Sequence, residues 1–66
     1  MNITPNQVEQ EAERQYQRWK AGLLQDAVDQ GACDDELAAL VIYCEARKES
    51  FKNEIRVMIN RIYAEI

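Results

Sequence analysis

The groups on this chain that could do chemistry are twelve carboxylates, eight basic side chains and two thiols, with no histidine to work beside them. Three arrangements stand out. Lys48, Lys52 and Arg56 recur every four residues, so on a helix they would line one side and could touch phosphates. Between Ala21 and Ala46 there are six acids (Asp26, Asp29, Asp34, Asp35, Glu36, Glu45) and no base; that stretch carries −6, leaving +2 for the rest of a chain whose net charge is −4. Cys33 stands directly before Asp34 and Asp35.

Each arrangement is constrained by its neighbours. Two adjacent carboxylates disfavour the thiolate of Cys33, and without histidine no base is placed to activate it. Cys44 lies well along the following helical segment, so the two thiols are expected to stay free, as in a reducing compartment, and two isolated cysteines make no zinc site. The acids lack the alternating spacing of a calcium loop, so neither metal nor cofactor is expected. Glu45 and Glu49 sit three residues before Lys48 and Lys52, and Glu9 and Glu13 should pass close by. The basic row therefore reads as salt-bridged surface. An acidic chain is also repelled by nucleic acid and by anionic membranes, which are not expected partners. The longest apolar run, Leu37 to Cys44, is far short of a bilayer span, and Met1 to Pro5 carries no signal region; the expectation is a cytoplasmic protein.

These groups are positioned by two helical segments. From Asp34 to Ile66 there is no Gly or Pro, and Leu37, Leu40, Val41, Cys44, Phe51, Ile55, Met58, Ile59, Ile62 and Ile66 fall on one apolar stripe interrupted by Lys48. Upstream, Thr4 as N-cap, Pro5 at the first helical position and Gln7 three residues after the cap open another helix. Its apolar side is Val8, Ala12, Trp19 and Leu23, with Tyr16 and Ala27 at the edge. Gly22, inside that pattern, is expected to mark a close crossing of the helices. Gly31 suits the left-handed residue after a helix end, and Asp34 or Asp35 can cap the next helix with Glu36 adding charge at its positive end. The expected organisation is one all-α domain over 1–66, with helix 1 over about 5–30, a turn at 31–34 and helix 2 over about 35–65. So short a connection makes an antiparallel hairpin, with Trp19 near Glu45 and Ala46, and Val8 near Arg56 and Val57.

A lone two-helix hairpin of this size struggles to bury enough surface to offset chain entropy. The last turns of helix 2 also overhang helix 1. Self-association into a four-helix bundle is the expectation, with Phe51, Ile55, Met58, Ile59, Ile62, Tyr63 and Ile66 as the dimer interface. A second set of apolar residues lies off the stripe: Leu24 and Val28 on helix 1, and Ile42, Ala46 and Val57 on helix 2. Such a partial second face again implies a bundle of more than two helices. Leu24, Val28 and Ile42 have a competing use. Beside the acids of the tip they could receive a basic or amphipathic surface of another protein. Asp26 and Asp29 add weight to this, since acids near a helix C-terminus oppose its dipole.

One local likeness bears on catalysis. Val41-Ile42-Tyr43-Cys44-Glu45-Ala46-Arg47-Lys48-Glu49-Ser50, followed by Met58-Ile59-Asn60-Arg61-Ile62, resembles the opening of the spore-cortex-lytic type of cell-wall hydrolase domain. The resemblance implies a catalytic acid at Glu45. The family usually has glycine where Lys48 stands, and its cleft is built from residues that follow this segment. The reading adopted from the whole chain is a non-catalytic protein-binding module, an accessory regulator or inhibitor acting through Asp26, Asp29, Asp34, Asp35, Glu36, Leu24, Val28 and Ile42. The alternative is a homodimeric assembly protein with no separate ligand.

Overall fold

The computed structural model describes residues 3–64. Helix α1 spans Pro5–Asp29 and helix α2 spans Asp34–Ala64; among the described residues there is no strand. The two helices pack against each other as an antiparallel hairpin, forming a rod of 46 × 19 × 16 Å. Neither helix is long and apolar enough to cross a membrane.

The ends of α1 follow from local chemistry. Thr4 accepts from the Gln7 N–H at 3.2 Å, and the Gln7 side chain accepts from the Thr4 N–H at 2.9 Å, a reciprocal capping box with Pro5 at the first turn. At the other end Gly31 has φ +85°, and its N–H and that of Ala32 reach back to the carbonyls of Val28 and Ala27. Helix α2 starts differently from the sequence expectation. Asp34 and Asp35 belong to its first turn, while the preceding residue, Cys33, accepts the first intrahelical bond from Leu37 and donates its own N–H to the Glu36 carboxylate at 3.2 Å. Glu36 is therefore the capping acid: three residues past the cap, its side chain reaches the Cys33 N–H.

The seam buries Val8, Ala12 and Tyr16 of α1, one turn apart, and Cys44 of α2. Ala12 at the centre lets the backbones approach. Tyr16, expected at the edge of the apolar side, is fully buried, because the α1 face that meets α2 is rotated toward it and away from Trp19. Trp19 sits beside the seam and stacks on Phe51 with centroids 4.9 Å apart and planes at 20°. Phe51 in turn meets the Tyr16 ring edge-on at 6.1 Å. The residue of α1 that pairs with Glu45 is Lys20.

Gly22 does not mark a close crossing. A Cβ built there meets nothing within 4 Å, and the residue is exposed. What remains of its effect is helix propensity, so Gly22→Ala is expected to stabilise the hairpin by about 1 kcal/mol, read from the urea unfolding midpoint.

Candidate functional site

The hairpin has two unlike edges. Along one edge, cations of α2 are held by carboxylates of α1. The Lys52 ammonium lies 2.7 Å from Glu9 and 3.0 Å from Glu13, Lys48 lies 3.6 Å from Glu13, and the Arg56 guanidinium grips Glu9 through two hydrogen bonds of 2.7 and 2.8 Å. Lys20 closes the row at 2.6 Å from Glu45. The four-residue spacing on both helices makes this ladder possible, since each step of one turn up α2 is one turn down α1. Lys52 is the sequestered member: only 7% of its surface remains exposed. Hydrogen bonds from Arg56 and then Lys52 hold the Glu9 carboxyl down at about 2, and bonds to Glu9 and Glu13 push the Lys52 ammonium up. The basic row is thus occupied from within the hairpin, as its spacing against Glu9 and Glu13 suggested.

Glu45, the position the hydrolase likeness would make an acid, is bonded to Lys20, which lowers its carboxyl below the ordinary range. A general acid at neutral pH needs the opposite shift. Next to it, the buried Tyr16 hydroxyl has no hydrogen-bond partner among the described residues, and burial pushes its phenol up. Sequence reading had no signal for this, because a tyrosine at the margin of a stripe could turn either way.

The tip of the hairpin carries the predicted acidic residues. Among the described residues, no cation pairs with Asp26, Asp29, Asp34, Asp35 or Glu36. The Asp29 carboxylate accepts from Gln25 at 3.0 Å and Glu36 from the Cys33 N–H. By contrast Glu9, Glu11, Glu13, Glu45 and Glu49 each meet a basic side chain. A groove of about 400 Å³, lined by Ala27, Gln30, Gly31, Ala32, Glu36 and Leu40, lies against the turn. Of the off-stripe apolar residues Leu24 is half-buried, whereas Val28 and Ile42 are exposed, Ile42 to 69%. By helical phase Leu24 and Val28 continue the row of Lys20, and Ile42 precedes Glu45 by one turn, so the three flank the tip on the side of the charge ladder.

The distal half of α2 holds the remaining apolar surface. Phe51, Ile55 and Ile59 are half-buried against α1, whereas Met58 and Ile62 are more than half exposed and Tyr63 is exposed; Ile66 lies outside the described residues. Val57, Met58 and Ile62, with Asn53, Glu54 and Arg61, line a groove of about 340 Å³ along this helix. Cys33 is an exposed free thiol and Cys44 a buried one. Among the described residues no group of three His, Cys, Asp or Glu is arranged to hold a metal ion. Set against known proteins, the chain matches no family model, no curated protein and no solved structure.

Proposed function

We propose that this protein is a non-catalytic binding module whose acidic tip takes up a basic, amphipathic segment of another protein. The observation that carries the reading is the division of its charges. Every described carboxylate in the body of the hairpin except Glu54 is matched by a cation, while the five at the tip have none among the described residues and lie beside exposed Val28 and Ile42. A cationic segment with apolar residues at helical spacing satisfies both features, with charge steering the encounter and the apolar contacts holding the complex.

The test uses a lysine- and leucine-rich helical peptide and an acidic peptide of the same length, followed by titration calorimetry. The basic peptide is expected to bind with an affinity that falls as salt rises, and the acidic one not at all. Changing Asp26, Asp29, Asp34 and Asp35 together to Asn is expected to weaken binding about tenfold or more while circular dichroism stays unchanged. Undiminished binding by that variant rules out the tip as the site.

A second surface supports homodimerisation through the distal half of α2. Val57, Met58 and Ile62 each expose about half of their surface, an apolar patch that a two-helix rod leaves uncovered. Pairing two hairpins there forms a four-helix assembly with an acidic tip at each end.

A further inference from the structure

We infer that the second copy docks with α2 antiparallel to α2, across a two-fold axis lying between Val57 and Met58, so that Glu54 of each copy pairs with Arg61 of the other. This rests on the dimer reading above and specifies its register.

The distal groove has Val57, Met58 and Ile62 as apolar walls, and Glu54 and Arg61 on the same face two turns apart. Among the described residues neither Glu54 nor Arg61 forms an ion pair, although most other charges in the body do. The apolar patch is thus bordered by one acid and one base with no ion-pair partner among the described residues, which is a self-complementary pattern.

Charge decides between the ways two such faces can meet. Parallel helices would set Glu54 against Glu54 and Arg61 against Arg61, and like charges facing across an interface cost affinity. An antiparallel pair centred on Glu54 would again oppose the two Glu54 side chains, and would set Arg47 against Arg61. Moving the axis toward the C-terminus by half a heptad, to between Val57 and Met58, forms the Glu54–Arg61 contact twice and lays Val57 of each copy on Met58 of the other. An axis half a heptad the other way would pair Glu54 with Arg47. Arg47, however, already lies over the Tyr43 ring at 4.9 Å, which ties its guanidinium to its own helix, and that axis leaves Ile62 outside the centre of contact. A two-fold contact presents the same patch twice, so a pairing between two different positions, such as Glu54 with Arg61, occurs twice.

The experiment is sedimentation equilibrium on the full chain, on E54R, on R61E, on the E54R/R61E double variant and on an equimolar mixture of the two single variants, with circular dichroism on each. The wild type is expected to be a dimer. Each single variant sets like charges together twice and is expected to weaken the dimer about tenfold or more, whereas the double variant and the mixture restore opposite charges and recover it. Helicity should be alike in all samples, since both side chains are exposed. A dimer sensitive to E54R and indifferent to R61E overturns this register and points to Arg47. A dimer indifferent to both overturns it while leaving the dimer reading intact, and a monomeric wild type overturns both.

Discussion

Neutralising Glu9 and Glu13 together, as the Gln double variant, is expected to lower the melting temperature by about 15 °C or more, the largest loss among simple polar changes. The reason lies in Lys52. Its ammonium is sequestered between the helices with these two carboxylates as its counter-ions, 2.7 and 3.0 Å away. Removing both leaves a cation out of water with nothing to balance it, and frees Arg56 and Lys48 to repel it. Lys52→Met should do far less harm, because Glu9 then keeps Arg56 and Glu13 keeps Lys48. Circular dichroism melts of the two variants make the comparison; equal losses would mean that the ladder contributes only its aliphatic stems.

The same ladder sets the pH range of stability. Glu9 titrates near 2 in the folded chain against an ordinary value near 4.5, and Glu11, Glu13, Glu36 and Glu45 are lowered as well. A depressed carboxyl contributes stability that is fully present above the unfolded value and is lost as pH falls toward the folded one. Stability should therefore decline from about pH 5 downward, and the Gln double variant should flatten that slope. At the alkaline end Lys20, Lys52 and Tyr16 are raised, so their contribution is complete below their ordinary values and is lost as pH climbs through the folded ones. The plateau is expected between about pH 5 and pH 10.

Trp19→Ala is expected to cost about 2–3 kcal/mol, somewhat less than the loss for a wholly buried tryptophan because part of the Trp19 surface stays wet. For 66 residues total stability is only roughly 3–10 kcal/mol, so the variant should lose a large fraction of it and unfold at a clearly lower urea concentration. The mechanism is the stacked contact with Phe51, which with Tyr16 forms one aromatic cluster across the seam. Phe51→Ala should cost a similar amount, and the double variant less than the two losses added, with a coupling of about 1 kcal/mol. Urea unfolding followed by circular dichroism measures all three. Additive losses would show that the rings only cover apolar surface independently.

How much of this was legible beforehand differs by feature. Thr4, Pro5 and Gln7 predicted the opening of α1, and Gly31 its end, because caps are decided by residues three or four apart whose backbone needs are met locally. The charge ladder was also legible: an antiparallel hairpin with Lys48, Lys52 and Arg56 at four-residue spacing must bring them to Glu9 and Glu13. Other features depended on rotation about the helix axes. A shift of a few tens of degrees puts Tyr16 rather than Trp19 at the centre of the seam, buries Lys52, and leaves Gly22 facing water. The capping of α2 by Glu36 turned on which of three successive acids could fold back onto the Cys33 N–H.

By itself, then, the sequence determined two helices, a tight left-handed turn and an antiparallel pairing, since hydrophobic period, capping residues and loop length act through neighbours along the chain. Only the tertiary structure decided which side chains share the seam, which charges are consumed there, and which are left at the tip and along distal α2. Those outcomes depend on the relative rotation of two packed surfaces, a quantity set jointly by the ion pairs on one edge and the aromatic cluster on the other.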